Sequence, residues 1–432
     1  MDTKSRARQP LPPSIYAETA APAPVVPRLE GEARFDVAIV GGGFTGLSTA
    51  LHLAMRGVRA AVVEAHEIGW GASGRNGGQV NPGLKWEPDR IEADFGRELS
   101  GRMVRLSGSA PDLVFRLIRE HQIQCAAHQG GTIRAAFSAK SAETIRRTAE
   151  AWQARAMPTR YLDRDAICEA TGTSRYLNGV IDRRGGSVNP LGYARGLADA
   201  ALKAGAAIYR DSPVIRIDRR GTDWLVTSPI GSVNADWIVL ATNGYTDDVW
   251  PKLRRSVVPV FSGIVASEPL SPGLADKILP ERSVVYESGS LTVYYRRDEQ
   301  NRILIGGRSR LSSAEGPEAF KELARYAERL WPTIRGVRWT HGWNGQLAVT
   351  TDAYPHLHEP AANVIAALGY NGRGVAMATA MGGEIARRVA GTPAANLDMP
   401  VTDLRAIPFH AIWRTAAAAR IAYGRVRDAL NL

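Results

Sequence analysis

Apolar residues follow two rhythms along this chain. Residues 35–40 form a short apolar run that ends in glycines. Beyond it Leu47, Ala50, Leu51 and Ala54 recur at helical spacing until Arg56-Gly57, and residues 58–64 form a second short apolar run. The pattern predicts a β-α-β unit with minimal turns, and therefore a parallel sheet. Helical spacing returns over 110–122, 141–156 and 190–204, the last with Asn189 placed as N-cap, Pro190 at the first helical position and Gly205 beyond its end. Short strands are predicted over 207–209, 214–219, 224–227 and 237–241. A strand-rich stretch from 257 to 307 (284–287, 291–296, 302–306) reads as an antiparallel sheet. The last third returns to α/β character, with a strand over 364–368, a glycine-rich turn and a small-residue helix over 375–389.

Residues 9–30 hold six prolines and are expected to run as an extended arm without helix. With 44% hydrophobic and 22% charged residues, disordered and fibrous classes are excluded. Cys125 and Cys168 are too few for a disulfide framework or a zinc ribbon, which fits a reducing compartment, and both read as packed thiols. The net charge of +11 raises the question of nucleic acid, but no block of five like charges occurs, so no nucleic-acid partner is expected. No signal peptide is read, and the uncharged stretch 37–55 is interrupted by Gly41-Gly42-Gly43, which argues against a membrane span. A cytoplasmic protein is the expectation. His356-Leu357-His358 has no third ligand at useful spacing and reads as a solvated turn, so no metal is expected. Residues 405–427 are expected to form a helix packed on its own protein, in preference to a membrane-surface helix.

Chemistry enters with Gly41-Gly42-Gly43-Phe44-Thr45-Gly46, a G-x-G-x-x-G between strand and helix. Glycine there permits a tight turn and close approach of a pyrophosphate, and the helix N-terminus supplies N–H groups to it. Glu64, 23 residues after Gly41, ends the next strand and is suited to adenosine ribose hydroxyls. Three further glycine turns bear on the choice between NAD and FAD. Residues 69–79, which include Ala72-Ser73-Gly74-Arg75-Asn76-Gly77-Gly78-Gln79, form a second glycine-rich loop; 238–245 is a strand running into a third turn, Thr242-Asn243-Gly244-Tyr245; and Gly369-Tyr370-Asn371-Gly372-Arg373-Gly374 is a fourth. A flavin dinucleotide needs main-chain contacts beyond its pyrophosphate, and the last turn is placed to aim N–H donors at the flavin ring. Val214 completes the expected cofactor set, and the combination favours FAD.

These motifs, with Tyr295-Arg296 before Ile305-Gly306-Gly307 and the Ser14-Ile15-Tyr16-Ala17 arm, resemble the D-amino-acid oxidase superfamily of FAD-dependent oxidoreductases. Within it the chain is similar to gamma-glutamylputrescine oxidoreductase-like amine oxidases. The resemblance implies a Rossmann-like FAD-binding domain of three layers, β-β-α, interleaved with an α+β substrate domain on an antiparallel sheet. Expected boundaries are 1–30 for the arm, 31–100, 187–256 and 340–400 for the FAD domain, 101–186 and 257–339 for the substrate domain, and 401–432 for a C-terminal helical segment. It also implies oxidation of a C–N bond by hydride transfer to the flavin, with hydrolysis of the imine. Neither attachment region, Ser73 to Asn76 nor Trp343 to Gln346, holds Cys or His, so FAD is expected to be non-covalent. Sarcosine oxidase-like members of the superfamily use a lysine near the flavin in the strand that here spans 302–306; its absence counts against efficient use of oxygen, and the acceptor is expected to be oxygen or another electron acceptor.

Tyr295, Arg296, Gln79 and Trp343 are the expected catalytic and substrate-facing residues, with Tyr294, Arg308 and Gln346 beside them. Because this segment is rich in arginine, the substrate is expected to be a carboxylate-bearing small-molecule amine, such as a gamma-glutamyl amine or an amino acid, with Arg296 as its clamp. The competing readings are an NAD-dependent dehydrogenase and a flavin-binding interaction protein without turnover. The sequence assigns no oligomeric state.

Overall fold

The computed structural model describes residues 9–289, 292–308 and 311–429. Val37–Val40 is buried on both faces, as a central parallel strand requires. The strand Gly31–Val40 pairs in parallel with Ala60–Val63 on one side and Gly231–Leu240 on the other. Ala207–Tyr209 and Val364–Leu368 extend the sheet outward in parallel, and His356–Ala361 is an antiparallel addition. Helices Phe44–Ala54, Pro190–Lys203, Gly374–Val389 and Pro88–Glu120 cover one face, building the larger apolar core. The antiparallel strands Arg216–Arg220 and Asp223–Thr227 join Gly231–Leu240 and give the other face its own β layer. This is the three-layer β-β-α arrangement.

A second sheet of eight strands runs in the order Trp339–Val349, Val258–Ser267, Ile303–Arg308, Tyr294–Arg297, Val284–Glu287, Thr132–Ala136, Asn178–Asp182, Thr159–Leu162. All neighbours are antiparallel except Val284–Glu287 with Thr132–Ala136, which is parallel. Period-2 alternation assigns its faces. Tyr295, Ile303 and Ile305 point into a core shared with Phe320, Leu330 and Trp331, whereas Leu304, Ile264 and Trp343 point the opposite way, toward the arm residues Ile15 and Tyr16.

Several expectations change. The arm contains one helical turn, Ile15–Thr19, begun by Ser14, whose hydroxyl accepts from Ala17 N at 3.3 Å. The helix expected over 110–122 starts earlier, and the helical stretch Pro88–Glu120 is two helices that meet at a kink at Gly96, whose φ of +74° is not helical. The segment expected as cofactor lobe from 340 opens with Trp339–Val349, a strand of the second sheet. His356 and His358 lie in a strand, not a turn, and His358 is buried with Nδ1 2.8 Å from Thr402 O. The C-terminal helix Trp413–Ala429 begins beside largely exposed residues, Phe409 and Ile412 among them. Among the described residues no helix is long and apolar enough to cross a membrane.

Candidate active site

A cavity of about 490 Å³ runs between the two sheets. At one end the fingerprint turn does what its glycines allow. A Cβ on Gly46 would stand 2.0 Å from Gly41 O, so only glycine lets the helix start this close to the turn. Gly43 caps Phe44–Ala54 without a side-chain bond, and Gly43, Phe44 and Thr45 line the cavity. Phe44 N donates to Ser73 Oγ at 3.0 Å, tying the second glycine loop to the helix start. Glu64 accepts from Gly42 N at 2.6 Å and from His66 N at 2.9 Å. Burial raises its pKa, opposed by those same N–H groups.

Farther along, Ala72, Ser73, Arg75, Asn76, Gly77 and Gln79 line one wall, Val214, Thr242 and Asn243 another, and Tyr370, Asn371, Gly372 and Gly374 a third. Tyr370 and Thr45 hydroxyls meet at 2.7 Å, and Asn243 Oδ1 accepts from Gly369 N at 3.0 Å, so turns far apart in sequence form one cradle. Gly41 also lines the cavity, whereas Gly46, Gly74, Gly78, Gly244 and Gly369 stand behind the wall as packing positions. Arg75 is 7% exposed, lies over the Trp70 ring at 4.4 Å and has no carboxylate partner among the described residues. Burial lowers its pKa. A buried, unpaired guanidinium in an elongated cavity with an open helix N-terminus and a carboxylate at the far end fits a dinucleotide with a charged pyrophosphate.

Seven residues, Gln79, Asn81, Ser262, Tyr294, Leu347, Asn371 and Gly372, line this cavity and also a second one of about 480 Å³. Gln79 Nε2 is held by Val285 O at 3.1 Å and Tyr295 O at 3.2 Å. Tyr294 OH lies 2.8 Å from Ser262 Oγ. The second cavity contains Arg134, paired with Glu87 at 2.5 Å, Arg184, bonded twice to Asp182 at 3.0 and 2.6 Å, and Arg373. Arg373 donates to Pro82 O at 3.1 Å and to Tyr286 OH at 3.0 Å and stacks on the Tyr286 ring. No carboxylate among the described residues pairs with it.

Three of the four expected catalytic residues do not open on either cavity. Tyr295 is on the far face of its strand, fully buried, with its hydroxyl 2.8 Å from that of Tyr176, which donates to Glu287. Arg296 is 4% exposed, donates to Gly77 O at 2.8 Å and reaches Tyr16 OH at 3.3 Å, so it fastens the glycine loop to the arm and lines neither cavity. Trp343 does the same work, donating from Nε1 to Arg75 O at 2.9 Å and meeting the Tyr16 ring edge-on. Arg373, expected as part of the cofactor turn, instead points into the second cavity. Gln79 and Gln346 both line the first cavity. The side chain of Arg308 lies outside the described residues. Sequence reasoning missed Glu87, Arg134 and Tyr286. Its one available signal was a lone arginine inside the apolar strand Thr132–Ala136. It also missed His66, which lines the dinucleotide end beside Trp70 and Tyr245 of the quoted glycine turns.

Two interleaved sheets with a dinucleotide cradle in one and a joined, charged second chamber under the other define a flavin oxidoreductase. The chain belongs to the DAO family of FAD dependent oxidoreductases, whose model matches residues 36–388. It is 31% identical over 380 residues to gamma-glutamylputrescine oxidoreductase of Escherichia coli, covering 88% of this chain and 89% of that protein. It is 25% identical to glycine oxidase of Bacillus licheniformis, covering 83% and 94%. The crystal structure of glycine oxidase from Geobacillus kaustophilus superposes with a TM-score of 0.70 at 23% identity, over 84% of this chain and 96% of that one. The protein is thus an FAD-dependent oxidoreductase of the amine and amino-acid group.

Proposed function

We propose that the protein oxidises the C–N bond of an amine that carries a carboxylate, as a gamma-glutamyl amine or an amino acid does. The observation that supports this most is Arg373, a cation without a carboxylate partner among the described residues, in a chamber that opens on the flavin cavity. A guanidinium in a partly desolvated cleft binds carboxylate through charge-assisted hydrogen bonds. When bound, FAD supplies the hydride acceptor, and the imine product hydrolyses to carbonyl and amine.

The chain's own residues position the amine where the two cavities meet. Gln79 spends its amide hydrogens on Val285 and Tyr295 carbonyls, so its Oε1 is the acceptor turned toward the substrate side, shared with Asn81 at 3.4 Å. The Tyr294–Ser262 hydroxyl pair offers a second polar contact. Leu347 gives the junction an apolar wall, which excludes water from the reacting carbon. Among the residues common to both cavities there is no carboxylate, histidine, lysine or cysteine. The amine therefore reacts as the neutral base it brings, and catalysis rests on position.

An anaerobic screen of the purified yellow protein tests this, with flavin bleaching as the readout. Gamma-glutamyl amines or amino acids should bleach it, and carboxylate-free diamines of equal length should do so at least tenfold less efficiently. Arg373→Met should raise KM for the carboxylate-bearing substrate by about tenfold or more, since removing one partner of such a pair costs ~2–5 kcal/mol, while leaving the flavin spectrum intact. Equal loss on a carboxylate-free amine would remove Arg373 from substrate binding.

A further inference from the structure

Among the described residues of the second chamber, Glu87 keeps a carboxylate oxygen without a donor and Arg373 has no carboxylate partner. Glu87 stands at the N-cap of Pro88–Glu120 yet makes no capping bond with its side chain. Its Oε1 takes a hydrogen bond from Arg134, and its Oε2 is buried with no hydrogen-bond partner among the described residues. The other two carboxylates in the chamber differ: both oxygens of Asp182 are occupied by Arg184, and Glu287 accepts from the Tyr176 and Tyr326 hydroxyls. A buried carboxylate oxygen without a donor is costly, and such orphans mark places where a ligand or water completes the set.

On the reading that Arg373 takes a carboxylate, we infer that Glu87 Oε2 is an ammonium subsite in the same chamber. The substrate then carries an α-amino acid head, ammonium and carboxylate together, remote from the C–N bond that is oxidised. The two groups suit this division. Arg373 bonds only to neutral oxygens, so its charge is uncompensated, whereas Glu87 is held in place by Arg134 at 2.5 Å with its second oxygen free to accept. An ammonium brings three donors and needs only one fixed carboxylate oxygen to be oriented. A simple amino acid has one amino group, which must sit at the flavin, and it leaves Glu87 unanswered. A gamma-glutamyl diamine carries a free amino group at each end, one for the flavin and one for Glu87, and answers both.

Equilibrium binding to the FAD-loaded protein tests the subsite without turnover. The probes are gamma-L-glutamyl-n-butylamide and glutaryl mono-n-butylamide, which share the carboxylate and chain and differ only in the α-amino group. Isothermal titration of the wild type should show the glutamyl probe binding about tenfold or more tightly. Glu87→Gln should erase that difference by weakening the glutamyl probe alone, with the flavin spectrum unchanged. Arg373→Met should weaken both probes. Equal binding of the two probes to the wild type, or equal weakening of both by Glu87→Gln, overturns the ammonium subsite. If Arg373→Met still weakens both in that case, the carboxylate reading stands without it. Absence of binding to the wild type, or unchanged binding in Arg373→Met, overturns both.

Discussion

At the scale of single residues, one-residue steps decide roles. Tyr294 and Tyr295 are adjacent, yet the pleat sends the first to the cavities and the second into a core beside Trp331. Gly43 faces the dinucleotide cavity, and a Cβ there would already meet Ser73 Oγ at 2.8 Å. Gly43→Leu should therefore yield folded protein depleted of FAD, read by the flavin-to-protein absorbance ratio; full occupancy would refute the fingerprint assignment. Cys125 is buried, and burial pushes its thiol up to about 12, so at pH 8 only about one molecule in ten thousand carries the thiolate. Iodoacetamide should leave it unmodified in the native protein and alkylate it once denaturant is added, as peptide mass spectrometry would show. The junction residues offer no carboxylate, histidine, lysine or cysteine, so kcat/KM should rise with pH through the pKa of the substrate's own amine. Exchanging the substrate for a less basic amine should move that inflection down by the difference, and an inflection that stays fixed would point to a group on the enzyme instead.

At the scale of elements, the arm is the least expected contributor. Its Tyr16, 1% exposed, sits between Arg296 and Trp343, the two side chains that hold Gly77 O and Arg75 O of the glycine loop. At the other end of that loop Trp70 Nε1 donates to Pro10 O at 3.0 Å. The arm thus straps a cofactor loop from two points. Tyr16→Ala should cost roughly 3–5 kcal/mol of stability, as emptying an aromatic site does, and should speed FAD release, followed by flavin fluorescence on dilution. Arg296→Met should lower FAD retention and melting temperature while leaving KM nearly unchanged, the reverse of what a substrate clamp would do. The strand, helix and turn of the fingerprint were legible because local spacing and glycines dictate them. The strapping was not, because hydrogen bonds between residues 219 or 268 positions apart leave no periodic trace.

At the scale of the whole molecule, the dinucleotide cavity draws its wall from turns near residues 43, 75, 243 and 371. Its one described histidine is His66, which touches the Gln9 backbone and the Trp70 ring beside Glu64, at the end suited to ribose. FAD is therefore expected to be held without a covalent bond. Acid precipitation should leave the yellow colour in the supernatant, and a coloured pellet would contradict this. By itself the sequence determined the β-α-β start, the four glycine turns, and with them the cofactor and the family, because backbone approach to a phosphate demands glycine at fixed local spacing. Only the tertiary structure decided which charged residues line a cavity. Arg296 and Arg373 look alike as letters, and what separates them is whether a strand face is covered by the arm or opens on a chamber. Likewise Glu87 and Arg134 become a pair only when a helix start and a strand 47 residues apart are folded together. Burial and long-range pairing are properties of the packed chain, and no local pattern encodes them.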